Sequence, residues 1–145
     1  MTELTRRRSK DSLAECWHIY YGDVQVGSIG VRSGVPNDVD QWGWTCGFNS
    51  QRLKITEGTA PTFALARAKF EEAWQAYLPG CIDADFAEHR EQRAWTTWKY
   101  AMHDAGLRLP TQVACGRTRC FCGAEIDIAS MSPHVNERHN LLGQP

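Results

Sequence analysis

Four side chains near the carboxy end limit the folds open to this chain: Cys120, Cys122, His134 and His139. One residue separates the cysteines, four separate the histidines, and eleven lie between the two pairs. Two closely spaced cysteines followed by two closely spaced histidines are the donor set of a tetrahedral zinc site. A segment of about thirty-five residues buries too little apolar surface to fold alone. A bound zinc ion supplies the missing free energy, on the order of 10 kcal/mol in peptides of this kind. Zinc (Zn2+) is therefore the expected cofactor, and Cys120, Cys122, His134 and His139 are the expected ligands. Cys115 leaves an alternative open, because four residues separate it from Cys120 and it can replace Cys120 or Cys122.

The remaining cysteines read differently. Cys16, Cys46 and Cys81 stand singly in apolar contexts, as buried thiols do. A disulfide scaffold would show spread-out pairs behind a secretion signal. The Arg-rich amino terminus is followed by no hydrophobic signal region, and no apolar run is long enough to span a bilayer. The expected location is the cytoplasm, with no membrane partner. A formal net charge of −1 argues against a surface built to coat a polyanion.

Residues 1–14 read as a flexible basic tail, since Arg6-Arg7-Arg8-Ser9-Lys10 lacks apolar periodicity. An α+β domain is expected over 15–109. Trp17, Ile19 and Tyr21 alternate with His18 and Tyr20, the period of a strand. Gly22-Asp23 predicts a hairpin turn, and Val24 and Val26 continue the same face on the return strand. Ile29 and Val31 then fall on the opposite parity, which predicts a bulge near Gly27. Residues 33–40 read as a loop. A third strand from Gln41 to Phe48 points Trp42, Trp44, Cys46 and Phe48 one way. A linker with a short strand near Leu53-Lys54-Ile55 follows.

Thr62 is placed to cap a helix whose stripe is Phe63, Ala66, Phe70, Ala73, Trp74 and Tyr77. Pro79-Gly80 ends it. A second helix starts near Asp83 or Asp85, buries Phe86, Ala94, Trp98, Ala101 and Ala105, and stops at Gly106. Trp95, Tyr100 and Met102 lie off that stripe as a candidate exposed apolar patch. The expected domain is thus a three-stranded antiparallel sheet with two helices. Three pieces of it, Tyr21-Gly22-Asp23-Val24 with Val26-Gly27, Trp42-x-Trp44-x-Cys46-Gly47-Phe48, and Ala66-Arg67-x-x-Phe70-Glu71-x-Ala73-Trp74, resemble small uncharacterised alphaproteobacterial proteins. That resemblance covers 17–110 and implies no activity.

Residues 110–145 form the metal segment. Ile126 lies four after Cys122 and Met131 three before His134, the apolar spacing that a small hairpin–helix unit buries. In this the segment resembles a divergent C2H2-type zinc finger over about residues 117–140. The resemblance implies a ββα unit in which a hairpin carries Cys120 and Cys122 and a helix carries His134 and His139. Ser132-Pro133 predicts that the helix begins at Pro133. Histidines five apart do not share one helix face, so the last turn must distort. The family's base-facing positions map near Asp127, Ser130 and Pro133, none of which reads guanine or adenine.

No Gly-rich phosphate loop, nucleophile elbow or carboxylate pair is present, and four protein ligands would close the metal to substrate. The expected function is that of a non-enzymatic zinc-binding adaptor or regulatory protein acting through protein–protein contacts. The alternative is a nucleic-acid-binding factor that uses the finger together with the Arg6–Lys10 arm.

Overall fold

The computed structural model describes residues 3–48 and 53–140. Its contacts divide the chain into two compact units, Met1–Phe86 and Ala87–Pro145. The division falls inside a helix and not at the expected boundary between 109 and 110. The reason is chemical: Ala94, Trp98 and Met102 of that helix share a buried cluster with Cys120, Ile126, Met131 and Val135. The first two residues of the expected tail and the last five of the expected metal segment lie outside the described residues.

The first unit is α+β. Five strands, β1 (Leu4–Arg8), β2 (Cys16–Tyr21), β3 (Val24–Val31), β4 (Trp42–Cys46) and β5 (Thr56–Ala60), form an antiparallel sheet in sequence order. Five strands replace the expected three. The basic segment is not a tail: Leu4–Arg8 pairs with β2 from Leu4↔Tyr21 to Arg8↔Trp17. Its backbone completes the β2 edge, and the Arg6 guanidinium lies 4.6 Å from the Trp17 ring centroid and 4.9 Å from that of Phe63. The other added strand, β5, starts just after the expected Leu53–Ile55 position and pairs with β4.

The expected turn and bulge are both present. Gly22 takes φ +63° at the first central position of the β2–β3 turn, where a primed hairpin turn needs glycine. The β2–β3 register shifts between Ile19 and Tyr20, which pair with Gly27 and Gln25. Val26 is thus the extra residue, and the shift keeps Val24, Val26 and Ile29 all buried.

Helix α1 (Phe63–Tyr77) lies on one face of this sheet. The Thr62 hydroxyl accepts from the Leu65 N–H at 3.2 Å and caps the helix as its sequence predicts. Ala66, Phe70, Trp74 and Tyr77 are buried against Ile19, Val26, Ile29, Cys46 and Ala60. Each large apolar side chain so enclosed stabilises the fold by about 1.5–3 kcal/mol. The Tyr77 hydroxyl donates to the Phe48 carbonyl at 3.1 Å, so its polar tip is satisfied inside the core. The other sheet face is polar, with Arg7, His18, Ser28, Thr45 and Glu57 in one cross-strand row.

Helix α2 (Asp83–Asp104) begins where Asp83 and Asp85 suit a positive helix end. The Asp85 carboxylate accepts the Ile82 N–H at 2.9 Å, half of a capping box. The helix ends before Gly106, at φ +72°. Its stripe differs from expectation at two places: Met102 is buried, and Ala105 is exposed. The expected patch of Trp95, Tyr100 and Met102 therefore breaks up, with Trp95 packed against Trp98 at 5.4 Å and only Tyr100 largely exposed.

The second unit continues with a two-stranded hairpin, β6 (Arg117–Arg119) and β7 (Glu125–Asp127), and helix α3 (Met131–Arg138). Among the described residues no helix is long and apolar enough to cross a membrane.

Candidate metal centre

The hairpin between β6 and β7 presents both cysteines. Cys120 N–H bonds to the Ala124 carbonyl at 2.8 Å and Gly123 N–H to the Cys120 carbonyl at 2.9 Å, which folds Cys120–Gly123 into a tight knuckle. Gly123 turns the chain at φ +96°, a conformation that disfavours a side chain. Cys120 then points into the core and Cys122 toward solvent.

Helix α3 presents the histidines. It begins at Met131, two residues earlier than Ser132-Pro133 predicts. The physical reason is Asp127: its carboxylate accepts the Ser130 N–H at 2.7 Å, while the Ser130 hydroxyl accepts the Asp127 N–H at 2.9 Å. This reciprocal pair starts the helical turn upstream, and Pro133 is tolerated in the first turn, where its missing N–H is not needed. The Ser130 amide and hydroxyl hold the Asp127 carboxyl below the ordinary carboxylate range. At the far end the chain leaves helical geometry at His139 (φ −124°, ψ −1°) while its N–H still bonds to the Val135 carbonyl. That departure brings a residue five positions from His134 round to the same point.

Cys120, Cys122, His134 and His139 converge there, each offering one ligand atom within 4.8 Å of the others. Cys120 Sγ lies 3.4 Å from His139 Nε2, Cys122 Sγ lies 3.5 Å from His134 Nε2, and the two Nε2 atoms are 3.2 Å apart. Zinc bonds of about 2.3 Å to sulfur and about 2.0–2.1 Å to nitrogen, at tetrahedral angles, place S and N about 3.6 Å apart and two nitrogens about 3.3 Å apart. These three separations lie within a few tenths of an ångström of those around a four-coordinate tetrahedral ion. Two thiols and two imidazoles this close together are a donor set that fits a divalent metal such as zinc. Cys115 is not among these four; its Sγ faces the Arg117 carbonyl at 3.5 Å.

Three surroundings tune the site. Burial foremost, then the His134 imidazole and the Arg138 guanidinium, hold His139 below the ordinary imidazole value. The neutral ring is the form that ligates metal. Phe121 packs at a tilt against His139 with centroids 4.9 Å apart. Trp98, on α2, donates its indole N–H to Cys120 Sγ at 3.3 Å. An N–H aimed at a coordinating sulfur spreads thiolate charge and fixes the ligand's orientation. Sequence reading places Trp98 in the core but not at the metal. A buried indole N–H needs an acceptor, yet nothing in the chain marks a sulfur 22 residues away as that acceptor.

No family model matches the chain, and no curated protein or solved structure is similar to it.

Proposed function

We propose that this chain is a zinc-stapled, non-enzymatic binding protein of the adaptor or regulatory kind. One observation carries the reading: two sulfurs and two imidazole nitrogens converge on one point, enough donors to fill a tetrahedral shell. A hydrolytic zinc keeps a position for water, and a closed shell has none. Sulfur and imidazole together favour zinc over hard cations such as magnesium or calcium, which take oxygen. Thiolate ligands persist where thiols stay reduced, so the same reading places the chain in the cytoplasm. The ion ties the hairpin to α3, and Trp98 extends that tie to α2.

Protein is the favoured partner. In the metal segment Arg117, Arg119 and Arg138 are balanced by Glu125, Asp127 and Glu137, and Arg119 already donates to the Gly123 carbonyl at 3.1 Å. Arg6 and Arg7 lie over aromatic rings on a strand, which removes the mobile arm of the nucleic-acid alternative. Tyr100, Phe121 and Ile128 are 67%, 45% and 57% exposed in the same unit, and aromatic anchors of this sort dominate protein interfaces.

Metal analysis of the purified full chain tests the zinc. Stoichiometric zinc and a four-coordinate cobalt spectrum are expected; no bound metal, or a five-coordinate spectrum, overturns the structural role. Binding to a nonspecific duplex tests the partner class. An affinity that falls steeply with salt restores the nucleic-acid alternative.

A further inference from the structure

Along the β1 edge the sheet and α1 leave a half-open cleft of about 310 Å3. Leu4, Ile19, Ile29, Phe63 and Phe70 form its apolar lining, and Arg6, Arg67 and Glu71 bring charge to it. We propose that this cleft binds a small monocarboxylate with an apolar body, such as a short aliphatic or aromatic acid, whose carboxylate pairs with Arg6.

The volume lies at the lower end of the range for small-molecule sites, roughly 300–1,000 Å3. It admits a short acid. Burying the acid's hydrocarbon against the apolar lining supplies non-directional attraction. Arg6 supplies direction. Its guanidinium lies over two rings, Trp17 at 4.6 Å and Phe63 at 4.9 Å. Contacts with ring faces use none of the guanidinium's N–H donors, which remain available to a bidentate carboxylate. The rings hold that fork in place before any ligand arrives, so little side-chain entropy is lost on pairing. Among the described residues no carboxylate pairs with Arg6.

The other two charges define the ligand's valence. Arg67 Nε lies 3.0 Å from Glu71 Oε1, and the pair sums to zero. The cleft therefore carries the single uncompensated charge of Arg6, which one carboxylate neutralises. A second anionic group would meet Glu71, so dicarboxylates and phosphate dianions are disfavoured.

Titration of the 15N-labelled full chain with hexanoate, hexan-1-ol and adipate, each to about 10 mM, tests the site; ligands this small reach roughly millimolar affinity. Hexanoate is expected to shift the amides of Leu4, Arg6, Phe63 and Arg67 saturably, with the alcohol and the diacid about tenfold weaker. Arg6→Gln is expected to erase the preference for hexanoate over hexan-1-ol. Arg67→Gln, at an exposed position, frees Glu71 to repel the ligand and is expected to weaken hexanoate without disturbing the fold. The proposal is overturned if hexanoate gives no saturable shift at these amides, if hexan-1-ol matches it, or if Arg67→Gln leaves its affinity unchanged.

Discussion

The indole Nε1 of Trp98 donates to the Sγ of Cys120 across 3.3 Å, and both residues are buried. The bond joins α2 to the knuckle that carries the sulfur ligands. Trp98→Phe keeps an aromatic ring and deletes the donor together with part of the indole's volume. Zinc affinity of this variant, read by competition with a chelator, is expected to fall about tenfold, as for other outer partners of metal ligands. Trp98→Ala removes the ring as well and is expected to cost about 3–5 kcal/mol of stability. Equal zinc affinity in wild type and Trp98→Phe would show that the bond does not tune the sulfur.

Thiol labelling separates four of the six cysteines. Cys115 is exposed and outside the donor cluster, so it is expected to react first with a thiol reagent at pH 8. Cys120 and Cys122 are expected to stay protected until a chelator removes the metal. Cys46 is fully buried, and its thiol is pushed up to about 12, by burial first and then by the nearby Cys81. The thiolate is the nucleophile, so Cys46 is expected to label only on unfolding. In parallel, Cys115→Ser should retain stoichiometric zinc while Cys120→Ser and Cys122→Ser lose it. Zinc loss in Cys115→Ser alone would sink the ligand assignment.

Much of the first unit was readable because its signals are local. Thr62 caps α1 three residues from the N–H it accepts, the α1 stripe repeats within one window, and the parity change after Val26 marks the bulge. The two edge strands were not readable for the opposite reason. An arginine run reads as solvated chain, and β1 becomes a strand through Leu4 packed on the core and Arg6 placed over Phe63, 57 positions away. No short window contains that pair. In β5, Thr-Glu-Gly-Thr-Ala shows no apolar alternation; its Gly58 pairs with Trp44, and a Cβ there would come within 2.8 Å of the indole ring. The four residues of the donor cluster were legible from chemistry and spacing. The start of α3 was not, because the Ser-Pro signal outweighed the less familiar Asp127–Ser130 box.

Gly27 sits at the bulge with φ +154°. A Cβ there would collide with the Thr45 carbonyl and come within 2.6 Å of the Phe70 ring. Backbone on one side and a buried ring on the other leave nothing free to move. Gly27→Ala is expected to cost about 3 kcal/mol, read as a lower urea midpoint at unchanged slope. Gly34 also has positive φ, at +71°, but a Cβ there meets nothing within 4 Å. Gly34→Ala is expected to cost only the backbone term of about 1 kcal/mol. Similar losses at the two sites would mean that backbone strain, not crowding, governs Gly27.

Asp127 links pH to the start of α3. Its carboxylate accepts the Ser130 N–H, and both the amide and the hydroxyl of Ser130 lower its pKa, the amide most. The folded chain thus binds a proton at Asp127 less readily than the unfolded chain. The stabilisation is fully present above the unfolded value near 3.8 and is lost as pH falls through the lower folded value. A carbon-detected titration is expected to place Asp127 below ordinary aspartates. Ser130→Ala removes the hydroxyl but keeps the N–H, so it should return the value only part of the way. Asp127→Asn keeps an oxygen acceptor and removes the charge, so only the acid sensitivity of the metal ligands should remain at α3 while the helix persists at neutral pH. An Asp127 carboxyl that titrates at its ordinary value in the wild type would separate the cap from the charge and remove Asp127 as a source of acid sensitivity in α3.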